Sequence, residues 1–61
     1  MALSAPAAAA AQALQAEVNT ATKDLETYLA TPNPSAATTE QIWVVIEELL
    51  EDVLAFLAFL L

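Results

Sequence analysis

The sequence contains no cysteine, no histidine, no glycine and no arginine. Each absence removes a class of chemistry. Without cysteine there is no disulfide and no thiolate nucleophile, and without cysteine and histidine together the common zinc sites cannot be assembled. Without glycine, the tight turns that shape phosphate loops and oxyanion holes lack their usual residue. Lys23 is the one cationic side chain against eight Asp and Glu, for a formal net charge of -7. Nucleic-acid binding depends on cations that neutralise phosphate, so no nucleic acid is expected as a partner. Anionic lipid surfaces repel the chain for the same reason, whereas a basic protein surface would attract it.

Catalysis finds no machinery in what remains. A Ser, Thr or Lys nucleophile requires an activating base, and histidine is missing. Lys23 sits close to Glu17, Asp24 and Glu26, which hold it in the charged form that a Schiff-base lysine must give up. The chain therefore reads as non-enzymatic, with no catalytic, cofactor-binding or metal residue assigned and no cofactor expected. No basic segment leads into an apolar core near the start, and a transit peptide would carry arginine. The expected location is cytoplasmic or within a macromolecular assembly, with a membrane-peripheral position as the alternative.

What the sequence does have is apolar residues, at 59% of the 61 positions, above the usual ~45–50%. Alanine dominates near the N-terminus, while Leu, Ile, Val, Trp and Phe crowd the C-terminal third. A chain of this length makes a single domain that buries only about 60% of its unfolded surface. Domains this small are usually stabilised by disulfides, a metal or a partner chain. With disulfides and zinc excluded, a partner is what remains.

Three prolines, Pro6, Pro32 and Pro34, punctuate the chain as an all-α, two-helix antiparallel hairpin. The first helix is expected over about residues 5–30, with Ser4 as its cap and Pro6 tolerated in the first turn. Ala7, Ala11, Leu14, Val18, Ala21, Leu25 and Tyr28 recur at steps of four and three, the coiled-coil spacing that turns one stripe toward a neighbour, and Leu29 widens it at the end. Asn19, Thr20 and Thr22 form its weakest stretch, because their side chains compete for backbone hydrogen bonds. The proline-rich segment 31–37 is expected to be a stiff turn. Thr38 with Gln41 fits a capping box, Ser35 competing one turn earlier, so the second helix is expected over about residues 39–61.

The second helix carries two apolar seams. Ile42, Ile46, Leu49, Val53, Phe56 and Leu60 form one, and Trp43, Leu50 and Leu57 form another beside it. With Val45, Leu54 and Leu61 they span about half of the circumference, wider than the roughly 100° stripe of an ordinary surface helix. The five large apolar residues of the first helix, Leu14, Val18, Leu25, Tyr28 and Leu29, cannot cover that sector. Ile42, Trp43, Ile46, Leu49, Leu50, Val53, Leu54, Phe56, Leu57, Leu60 and Leu61 are thus the candidate interface, stabilised by oligomerisation or by a larger complex. Tyr28 is expected to pack near Trp43 with its hydroxyl outward.

Glu47, Glu48, Glu51 and Asp52 are expected on the opposite, acidic side. Their i,i+4 pairing suits a hard cation, but the Glu-x-x-His pattern of iron-carboxylate bundles is absent. A solvated face or a contact with a basic partner fits them better. The same carboxylates oppose a membrane span: residues 41–61 have the required length, but a central Asp costs about 2.5–3.5 kcal/mol on insertion.

The resulting expectation is a structural or assembly subunit, in a virion shell or a multi-subunit complex, whose apolar second helix packs on other protein chains. One alternative is a small membrane-associated accessory protein with the C-terminal tail in lipid or against transmembrane helices. Another is a docking or dimerisation module.

Overall fold

The computed structural model describes residues 3–61. Two helices, α1 (Ala5–Ala30) and α2 (Ala36–Leu60), pack against each other as an all-α hairpin, the architecture that the proline punctuation predicts. α1 starts where an extended Ser4 turns its hydroxyl back to accept from the Ala7 N–H at 3.3 Å, with Pro6 in the first turn where no donor is lost. The weak stretch stays helical, with Thr22, one of its two threonines, bonded within the helix. The Thr22 hydroxyl donates to the Val18 carbonyl at 2.8 Å, and Thr27 does the same to Lys23 at 3.1 Å.

α1 stops at Thr31, which precedes Pro32 and is extended (φ -88°, ψ 115°), its N–H donating to the Tyr28 carbonyl at 3.2 Å. The Thr31 hydroxyl closes the end by donating to the Thr27 carbonyl at 2.7 Å. Asn33, between the two prolines, takes φ 52°, a left-handed geometry that asparagine tolerates better than other residues with a Cβ. That single reversal supplies the direction change a glycine would usually provide.

The start of α2 departs from the expected Thr38 cap. The helix begins one turn earlier, capped by Ser35, whose Oγ accepts from the Thr38 N–H at 3.1 Å while the two hydroxyls meet at 2.9 Å. The cause is Ser35's extended backbone, at ψ 164°, the geometry an N-cap requires. Ala36 and Ala37, strong helix formers, then extend the helix backward, and the turn shortens to residues 31–35. The far end closes with the Leu61 N–H donating to the Leu57 carbonyl at 3.0 Å.

The core between the helices is thin. Ala7 and Ala21, each 3% exposed, are the buried apolar residues, and no large side chain is fully buried among the described residues. Ala11, Leu14 and Tyr28 on α1 and Ile42, Val45, Leu49, Val53 and Phe56 on α2 are half-buried. Alanine lets the helices approach closely but offers little lateral cover. The molecule is correspondingly elongated, with a Cα radius of gyration of 14.2 Å against about 10.5 Å for a compact chain of this length.

Ser35→Ala should lower stability by about 1 kcal/mol through loss of the cap. Asn33→Ala should cost a similar ~1 kcal/mol through left-handed strain, while Asn33→Gly stays near neutral. Thermal melts followed by circular dichroism check both, and an unaffected Ser35→Ala melt would return the cap to Thr38.

Candidate interaction surface

Which side chains α1 turns toward α2 differs from the expected stripe at two positions. Ala7, Ala11, Leu14, Ala21 and Tyr28 face inward, but Glu17 and Asp24 take the half-buried places between them while Val18 and Leu25 stand exposed. The 3.6-residue period falls between steps of three and four, so either set completes a stripe. α2 makes the matching choice: Val45 is half-buried where Ile46 was expected, and Asp52 is half-buried beside Val53. Of the candidate interface, Ile42, Leu49, Val53 and Phe56 are covered in part by α1. Trp43, Ile46, Leu50, Leu54, Leu57, Leu60 and Leu61 are exposed, Trp43 to 67%, Leu50 to 56% and Leu54 to 65%.

Several exposed apolar residues of the two helices share one side, although Val44 faces outward and Phe59 lies in the row of Val45 and Asp52. Successive residues advance by 100° around a helix, and two helices running in opposite directions turn in opposite senses when viewed from one end. The residue that follows an inward position therefore leans to the same side of the pair on both helices. Val18 and Leu25 follow Glu17 and Asp24; Ile46 and Val53 follow Val45 and Asp52. These four line up on one broad face, and Leu50 and Leu57 continue it outward across α2. No charged residue falls within that sector on either helix, by the same angular placement. Val18, Leu25 and Leu29 are thus part of the surface, although sequence periodicity assigns them to the α1–α2 seam.

The Tyr28 hydroxyl, expected to face outward beside Trp43, is not free. It is within 3.0 Å of the Thr39 hydroxyl, which ties the turn-proximal ends of the helices together. Trp43, one helical turn beyond Thr39, is largely exposed and lines a shelf with Asp24 of α1 and with Val44 and Val45.

The expected single acidic face is divided. Glu47 and Glu51 stand on the outer edge of α2, away from α1, whereas Glu48 and Asp52 turn toward Glu17 on the side opposite the apolar face. One oxygen of Glu17, Oε1, is shielded from solvent and has no hydrogen-bond partner. Burial raises the Glu17 pKa above the ordinary 4.5, and the charges of Glu48 and Asp52, a hydrogen bond with Glu48 and the charge of Asp24 push it the same way. Among the described residues no three carboxylates converge on a point that could hold a metal ion.

Two concavities lie near the turn. A cleft of about 150 Å³ is lined by Asp24, Thr27, Tyr28, Thr38, Gln41 and Ile42, below the roughly 300 Å³ from which ligand pockets start. A wider open shelf of about 770 Å³ lies beside Trp43 and Val44, and its lining contains no nucleophile paired with a base. No protein-family model matches the chain, and no curated protein or solved structure matches it.

A carboxyl whose pKa is raised by folding favours the folded state fully below the unfolded value of 4.5, and this contribution is lost as pH rises through the folded-state pKa. Every group that faces Glu17 and shifts it, Glu48 and Asp52 from α2 and Asp24 from α1, is acidic. The melting temperature should thus fall as pH rises from 4.5 toward 7. Glu17→Gln should raise it at pH 7 and flatten the slope; a steeper slope in the variant would show that Glu17 is engaged by a cation instead.

Proposed function

We propose that this chain is a non-enzymatic structural subunit that works by packing its apolar face against other protein in a larger assembly, such as a virion shell or a multi-subunit complex. The observation that carries the reading is the excess of exposed surface. The accessible area is 4709 Å², whereas a compact folded protein of 6.4 kDa presents about 3,800 Å². The difference is on the order of 900 Å², similar to the ~800 Å² that each partner buries in a standard interface. Each large apolar side chain left in water forgoes about 1.5–3 kcal/mol. Several together rival the ~5–15 kcal/mol that a whole small domain possesses. A covering partner recovers that energy.

Two other occupants would answer the same need. In a membrane-associated accessory protein, the face would rest on lipid or on transmembrane helices. No helix among the described residues is long and apolar enough to cross a membrane, and the helices that lie on membranes carry lysine and arginine on their polar side, where this chain carries carboxylates. A docking or dimerisation module would use the same face and differ only in the permanence of the contact. Glu40, Glu47 and Glu51, along the outer edge of α2, suit a basic rim on either kind of protein partner.

Leu50→Asp places an unpaired charge in the middle of the face and should abolish association while leaving the α1–α2 contact intact. Sedimentation equilibrium in plain buffer, with and without mild detergent, reads it. Association of the native chain without detergent, lost in the variant, supports the subunit reading. A native chain that is dispersed only by detergent favours the membrane alternative, and a folded, freely soluble monomer overturns both.

A further inference from the structure

We propose that the occupant of the apolar face is a second copy of this chain, seated face to face so that two hairpins close into a four-helix bundle. This deepens the subunit reading and rests on it. The first support is shape. α1 has 26 residues and α2 has 25, so the two helices end together and present a plate with Cα extents of 47 × 15 × 13 Å. Such a plate has a broad side on the order of 700 Å² before side chains widen it, close to the ~800 Å² per partner of a standard interface.

The second support is that both helices contribute. Val18 and Leu25 of α1 lie on the same side as Ile46, Leu50 and Leu57 of α2. A lone helix seated in the groove between α1 and α2 would touch Val18, Leu25 and Ile46 but would leave Leu50 and Leu57, further out on α2, in water. A second two-helix plate covers them as well, and antiparallel four-helix packing of this kind is a closed, isologous arrangement that a two-fold axis generates.

The third support is where the charge is not. Two chains at -7 each would repel if their carboxylates met. Glu17, Asp24, Glu48 and Asp52 lie on the far side, however, while Glu26 on the outer edge of α1 and Glu40, Glu47 and Glu51 on the outer edge of α2 flank the face without entering it, so stacking the uncharged sides keeps them apart. A basic foreign partner would find no carboxylate on the face itself to grip. The face is therefore complementary to its own kind: apolar, flat and neutral.

The test uses the full chain in buffer without lipid. Sedimentation equilibrium should give twice the 6.4 kDa chain mass. Val18→Lys and, separately, Leu25→Lys should weaken the dimer by at least about tenfold, since each buries two unpaired charges per dimer. Lysine keeps helix propensity, and unchanged helical circular dichroism at high dilution confirms that each hairpin is intact. Thr20→Lys, on the opposite side of α1, should leave the mass unchanged. If Val18→Lys and Leu25→Lys dimerise normally while Leu50→Asp does not, the copies meet through α2 alone: the face-to-face bundle is overturned and the subunit reading stands. A mass that climbs past two chains with concentration also overturns the closed bundle and leaves that reading in place. A monomer that floats with phosphatidylcholine vesicles overturns both in favour of lipid, and a soluble monomer that ignores vesicles overturns both outright.

Discussion

The structure depends on an imbalance in side-chain size across a single helix–helix contact. α1 meets α2 through a ridge in which Ala7, Ala11 and Ala21 bring the backbones close, while α2 answers with Ile42, Val45, Leu49 and Phe56. A small-on-large contact of this kind aligns two helices well and shelters them poorly. The ridge can enter the groove of α2, but it has no bulk with which to reach around it. The half-burial of the large residues at the seam, and the exposure of Val18, Leu25, Ile46 and Leu50 one step away, follow from that one fact.

The carboxylates add a second constraint. Turning Glu17 partly inward works against its hydration, and the charges of Glu48, Asp52 and Asp24 add to the penalty. The compensation lies on the other side of the pair, where Val18, Leu25, Ile46 and Val53 come into one plane. In water, an isolated hairpin gains nothing from lining up apolar residues on its exterior. Within an assembly the same rotation concentrates the apolar surface where a partner would cover it, and it keeps the carboxylates off that side.

Much of the fold was legible from the prolines and the helix formers. Pro6, Pro32 and Pro34 carry their structural meaning locally, through a fixed φ and a missing donor, so the two helices and the turn between them could be read without any tertiary information. The cap was harder to read, because Ser35 and Thr38 are both good caps three residues apart. The outcome turned on the extended backbone that Ser35 adopts after Pro34, which composition does not reveal. The seam was harder still. Steps of three and four are equally compatible with a helical stripe, so Val18 against Glu17, or Ile46 against Val45, is decided only when two helices meet, and hydrophobicity alone favours the wrong member of each pair. That α2 has more apolar surface than α1 covers was visible from the sequence. That the surplus continues onto α1 was not, since it depends on the sense in which antiparallel helices turn.

The turn between the helices has a consequence for how quickly any contact could form. Pro32 and Pro34 restrict the backbone, Asn33 sets the reversal, and the Tyr28–Thr39 hydroxyl pair pins the adjoining turns. Little freedom is left for the helices to splay or slide. A partner arriving at the apolar side would meet a surface already assembled, so the ordering entropy that flexible binders surrender on docking has been spent during folding of the hairpin. Encounter then depends on orientation alone, in the rate regime of rigid bodies rather than that of segments that must fold as they bind.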